Sequence, residues 1–139
     1  MLITSVREYL EAVRSGEIKV DDFLSEVAER SGKIQKAYSP FITINRKPKA
    51  SGKGPLAGLP VSVKDSICTE GIQTTAGSKI LEGYVPPFDA TCVARIKGDG
   101  GAIIGKTAMD EFGFGTFSVS CAYGVPKNPI DVERSCGGS

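Results

Sequence analysis

Glycine is spread very unevenly along this chain, and the unevenness limits what each part can become. Of 17 glycines, residues 1–50 hold only Gly16 and Gly32, whereas residues 98–115 hold six. Glycine serves where a backbone must turn sharply or be approached closely, and it weakens helices. The first third is therefore built for helices and the last third for loops and close backbone contact. Ser5-x-x-Glu8 has the form of a capping box, followed by Val6, Leu10 and Val13 at helical spacing, and Gly16 ends the segment. Asp21 is the candidate cap of a second helix, with Phe23, Leu24, Val27 and Ile34 as its predicted buried stripe and Gly32 weakening its last turn.

Beyond residue 40 the period changes. Phe41-Ile42-Thr43-Ile44 reads as a strand opened by Pro40. Residues 46–58 crowd Arg, Lys, Gly and Pro into a solvated loop. Pro60 to Ile67 reads as a second strand, with Val61 and Val63 on one side and Ser62 and Lys64 on the other. Gly77 to Gly83 suggests a short helix. Another follows, capped by Asp89 or Thr91, carrying Cys92, Val93 and Ile96 on one side and stopped by Gly98 and Gly100-Gly101. Ala102-Ile103-Ile104 is a short buried strand. Helix, strand, helix, strand implies an α/β layer with a partly parallel sheet. Residues 107–139 show no period, which in a compact domain points to functional loops. Two or three short strands make a poor sheet alone, and Gly137-Gly138-Ser139 should lead into further structure, so the chain is expected to be part of a longer protein.

Charge and composition exclude several chemistries. The net charge is +1, too small to imply a nucleic-acid surface. No apolar run approaches the roughly 18 residues that span a bilayer, and the start has no signal-peptide core, so a cytoplasmic location is expected. There is no histidine. Cys68, Cys92, Cys121 and Cys136 form no C-x-x-C pair, which argues against zinc, and they are expected to be reduced and mostly buried. Any acid–base chemistry must use another base.

Gly100-Gly101-Ala102-Ile103-Ile104-Gly105-Lys106-Thr107 matches G-x-x-x-x-G-K-[ST], the phosphate-binding loop, but in the wrong context. That loop needs a strand before its first glycine, whereas here a helix precedes Gly100 and the strand lies inside the motif. Lys106 is expected at the strand's end. By residue type alone, Lys64 reads as a strand-end lysine, Ser139 as a turn residue, and Asp65 and Asp89 as caps or surface charges.

Several segments occur in an order that changes those readings: Pro55-Leu56-Ala57-Gly58-Leu59-Pro60-Val61-Ser62-Val63-Lys64-Asp65, Thr74-Thr75-Ala76-Gly77-Ser78, Asp89-Ala90-Thr91, Gly105-Lys106-Thr107-Ala108-Met109-Asp110-Glu111-Phe112 and Cys136-Gly137-Gly138-Ser139. In this order they resemble the amidase signature family, over residues 55–139. Gly77-Ser78-Lys79-Ile80-Leu81, Pro86-Pro87-Phe88-Asp89-Ala90-Thr91 and Met109-Asp110-Glu111-Phe112 are most similar to the A subunits of glutamyl-tRNA(Gln) amidotransferases. Ser66 and Ala108 depart from the family, which often has Asn at both. The family's motif continues beyond Ser139, and its acylated serine comes later still.

The resemblance implies the N-terminal part of one amidase domain, with helices packed on a mixed, partly parallel sheet. Residues 1–38 would be its helical start and 39–139 the start of its α/β core. It implies Lys64 as the base and Ser139 as the bridging serine, in a cis peptide, of a Ser-cisSer-Lys relay whose nucleophile is absent, so this chain alone should be inactive. Gly113, Phe114, Gly115 and Thr116 would lie beside the substrate. Glutamine would be hydrolysed to supply ammonia for converting Glu-tRNA(Gln) to Gln-tRNA(Gln), with subunits B and C as partners and no membrane. No cofactor is implied in this chain, with ATP and Mg held by the partner. The alternatives are a stand-alone amidase acting on small amides and a non-catalytic scaffold piece.

Overall fold

The computed structural model describes residues 3–138. Helix α1 spans Val6–Arg14, with Ser5 Oγ accepting from Glu8 N at 3.2 Å. The Glu8 carboxylate reaches back to Thr4 N at 2.9 Å rather than to Ser5, so the capping box closes one residue early. The face it buries also differs from the predicted one. Tyr9 and Ala12 are buried while Val6 is exposed. Tyr9 is the largest side chain on the helix, its ring lies 4.9 Å from that of Phe23 and its hydroxyl donates to Ala57 O, so burying it turns the helix by one position.

Helix α2 spans Val20–Tyr38 and starts from Lys19, not Asp21, which lies in its first turn. Leu24 and Ser31 are its buried residues, and Ile34 is exposed, contrary to expectation. Gly32 does not interrupt it. It ends at Ser39, whose left-handed φ of 52° turns the chain back and whose N–H donates to Gln35 O. Gln35 Oε1 then accepts from Phe41 N at 2.8 Å, tying the helix end to the first strand.

Strands β1 (Phe41–Ile44), β2 (Pro60–Lys64) and β3 (Ala102–Thr107) form one mixed sheet in the order β1-β3-β2. β1 is antiparallel and β2 parallel to the central β3. β2 stops three residues before its predicted end, because Ile67 N turns back onto Lys64 O. β3 runs three residues beyond its predicted end, through Gly105, Lys106 and Thr107. Gly105 permits this. A Cβ there would stand 2.6 Å from the Thr43 carbonyl oxygen of β1. Gly105→Ala must push the strands apart and is expected to destabilise the fold by about 1–3 kcal/mol, read from the midpoint of urea unfolding.

Helix α3 (Thr91–Gly98) connects β2 to β3, and its Val93 closes a core with Val63 and Ile103, flanked by Val61, Ile67, Ile72 and Ile96. Neither Asp89 nor Thr91 caps α3. It starts from Ala90, and the Asp89 carboxylate instead holds Glu70 N and Lys97 Nζ, each at 2.8 Å. Cys92 is exposed rather than on the buried side, as is Cys136, so of the four thiols only Cys121 is buried outright. Gly77–Gly83 yields a single 3-10 turn, Lys79–Leu81. No helix among the described residues is long and apolar enough to cross a membrane.

Candidate active site

Lys64 is the last residue of β2. Strand alternation turns Val63 toward α3 and Lys64 toward the opposite face. There Lys64 lines a cleft of about 200 Å³ together with Thr107, Met109, Asp110, Gly113, Gly115, Ser118 and Gly138. The C-terminal end of a parallel strand pair is where open α/β sheets place their ligand crevices. Residues far apart in sequence, 64, 107–118 and 138, meet there because β2 and β3 end side by side, with Lys64 registered against Thr107.

Two buried charges lie directly behind this strand end. Asp65 is 0% exposed. Its Oδ2 accepts from Thr75 N at 2.9 Å, Thr75 Oγ1 at 2.5 Å and Gly77 N at 3.4 Å. Its Oδ1 makes no hydrogen bond and faces Lys106 Nζ at 3.7 Å. Lys106 is also 0% exposed and donates to Ile67 O at 2.6 Å and Thr74 Oγ1 at 2.7 Å. Burial pushes its ammonium below the usual lysine range, against the opposing pull of Asp65 and Cys68. Together these groups clamp the 65–77 loop to the end of β2. A lysine so enclosed is closed to a phosphate, which accords with the poor fit of the Gly100–Thr107 motif to a nucleotide loop.

The other wall is built from Asp110. Its Oδ1 accepts from Ser120 N at 3.0 Å and Ser120 Oγ at 2.9 Å, and its Oδ2 from Ser118 N at 2.9 Å. The backbone N–H of Ser120, with further donors from Ser120 and Ser118, holds its carboxyl below the usual carboxylate range. Gly115 fits against this carboxylate only because it lacks a side chain, since a Cβ there would stand 2.3 Å from Asp110 Cγ. Nearby, Ser78 Oγ donates to Glu111 Oε1 at 2.5 Å, joining the 74–78 loop to the same segment.

Of the residues singled out by sequence, Lys64, Gly113 and Gly115 line the cleft. Phe114 does not, and is 87% exposed. Thr116 is exposed and contributes its carbonyl oxygen, against which Gly138 packs too closely for any side chain. Ser139, and with it the Gly138–Ser139 bond, lies outside the described residues. Among those residues no group of three His, Cys, Asp or Glu side chains could hold a metal ion. Sequence reasoning missed Lys106, Asp110 and Ser118, and read Asp65 as a cap or surface charge. A charged residue embedded in an apolar strand, as Lys106 is after Ala102-Ile103-Ile104, was the available signal.

Comparison with known proteins agrees with this architecture. The amidase family profile matches residues 4–139. The A subunit of the glutamyl-tRNA(Gln) amidotransferase of Methanococcoides burtonii is 44% identical over 138 residues, covering 99% of this chain and 29% of that protein. The crystal structure of the corresponding A subunit of Thermotoga maritima superposes with a TM-score of 0.81 at 32% identity, over 98% of this chain and 29% of that one. A 6-aminohexanoate cyclic dimer hydrolase superposes with a TM-score of 0.89 at 27% identity, over 98% and 30%. The chain thus spans 28% to 30% of the length of the curated relatives it matches first.

Proposed function

This chain belongs to the amidase family, and from that premise we propose that it is the N-terminal part of a glutamine-hydrolysing subunit of a tRNA-dependent amidotransferase. The observation that carries this reading is the cleft that joins Lys64 to Gly138, the residue before Ser139. Similarity to amidotransferase A subunits over nearly the whole chain supports the choice within the family.

In the proposed mechanism Lys64 is the general base, and Ser139 passes protons between it and a nucleophilic serine supplied by later sequence. A lysine accepts a proton only through the lone pair of its amine, which is the role the relay asks of Lys64. As the nucleophile attacks the side-chain amide carbon of glutamine, its proton moves to Ser139 while that of Ser139 moves to Lys64. The proton then leaves with ammonia, and water releases glutamate from the acyl-enzyme. Gly113 and Gly115, which line the cleft, give the substrate close access to the backbone. Subunits B and C receive the ammonia. ATP and Mg act at the partner, where Glu-tRNA(Gln) becomes Gln-tRNA(Gln).

The test is ammonia release from glutamine by the full-length protein, beside residues 1–139 alone. The full-length protein is expected to hydrolyse glutamine and to co-purify with a second, larger subunit. Residues 1–139 are expected to give no turnover, and measurable turnover lost on Lys64→Ala would overturn the assignment of the nucleophile to later sequence. A full-length protein that hydrolyses small amides but neither hydrolyses glutamine nor binds a partner would favour a stand-alone amidase, the class for which the cyclic dimer hydrolase is a structural neighbour.

A further inference from the structure

Ser118 is almost fully buried and adopts a φ of +57°, in the left-handed region that side-chain-bearing residues rarely occupy. Such a conformation persists only where the surroundings hold it. Here the holding group is Asp110, whose Oδ2 accepts from Ser118 N at 2.9 Å while its Oδ1 takes Ser120 N and Oγ. The left-handed turn aims the Ser118 hydroxyl at the other end of the chain, where it donates to Gly137 O at 2.8 Å. One residue further, a Cβ on Gly138 would stand 2.6 Å from Thr116 O. The 116–118 backbone and the 137–138 backbone therefore pack directly on each other, joined by one side-chain hydrogen bond, at the rim of the Lys64 cleft.

We propose that Ser118 is a positioning residue: its hydroxyl, set by the Asp110 carboxylate, fixes the Gly137–Gly138 turn on which the proposed relay to Lys64 depends. The proposal rests on the reading of Lys64 and Ser139 given above. A relay through two hydroxyls tolerates little displacement, since proton transfer needs heavy atoms within hydrogen-bond reach. The rest of the cleft wall does not depend on this hydroxyl, so its loss should act on the relay more than on substrate binding.

The experiment uses the full-length protein with Ser118→Ala, Ser118→Gly and, as reference, Lys64→Ala. Glycine relaxes the left-handed backbone yet lacks the hydroxyl, so Ser118→Gly should melt no lower than the parent. Both Ser118 variants are expected to lose at least about tenfold in kcat, because misplacement of a reacting group is costly, with KM within about twofold. Amide hydrogen exchange at residues 136–138 should accelerate in both. Parental kcat in Ser118→Gly overturns the proposal, and so does a loss of kcat without faster exchange, since the hydroxyl would then act other than through the turn. Lys64→Ala as active as the parent would remove the base assignment and this proposal with it. Parental activity in Ser118→Gly beside an inactive Lys64→Ala would overturn the positioning role alone.

Discussion

Replacing Lys64 by alanine in the full-length protein is expected to lower amide hydrolysis by about 10²–10⁴-fold while leaving the fold intact. Lys64 is only half-buried, and the strand end it occupies is held by its neighbours. Val63 packs in the core, and Asp65 ties the following loop through Thr75 and Gly77. Removing the amine therefore takes away the proposed base without opening a hole in the sheet. Lys64→Arg sharpens the test. A guanidinium keeps the positive charge but does not release its proton under working conditions, so it cannot serve as a base. Arginine is expected to be as inactive as alanine. An active Lys64→Arg enzyme would show that the residue contributes only charge, and general-base catalysis by Lys64 would be ruled out. Circular dichroism and the unfolding midpoint of each variant separate lost chemistry from lost structure.

The second large effect is on stability. Lys106→Ala is expected to destabilise the protein by about 3–5 kcal/mol, the usual result of removing one partner from a buried ion pair. The variant would leave the Asp65 carboxylate buried with no cation facing its free Oδ1 and would take the Lys106 donor from Thr74 Oγ1 and Ile67 O, the latter keeping Thr69 Oγ1. The double variant Asp65→Asn with Lys106→Met removes both charges and should recover part of the loss, as measured by urea unfolding of the singles and the double. Equal stability of Lys106→Ala and the parent would show that the pair contributes nothing. The pH dependence has a definite sign. Burial depresses the folded-state pKa of Lys106 below its ordinary value of 10.5. Between the depressed value and 10.5 the unfolded chain binds more protons than the folded one, so stability rises with pH across that window. Below the window the burial penalty is constant. The parent should therefore gain stability relative to Lys106→Met as pH climbs toward 10.5, and a falling difference would contradict the assignment.

The order of residues along the chain dictated the elements and their class. A short apolar run at Phe41–Ile44, alternation within Pro60–Ile67, helical spacing before residue 38 and glycine punctuation after Gly98 were enough for an α/β layer with a partly parallel sheet, as found. These are local properties, set by where each side chain points from its own backbone. The family motifs likewise directed attention to Lys64. What depended on distant neighbours was beyond such reading. The stripe of α1 moved to Tyr9 because Ala57 and Phe23 offered that ring a hydrogen bond and a packing surface.

Lys106 is the sharpest case. Strict alternation from the buried Ile103 would place Gly105 inward and Lys106 outward. The ladder pairs Val61 with Ile103 but Ser62 with Gly105, so Ile104 is an extra residue in β3. That bulge moves Lys106 onto the face of Val63 and into the core. A bulge is a property of two strands in register, so no single stretch of sequence contains it. The same holds for the cleft, where Lys64, Asp110, Ser118 and Gly138 share walls only because β2 and β3 end together and the loops that follow fold back over that edge.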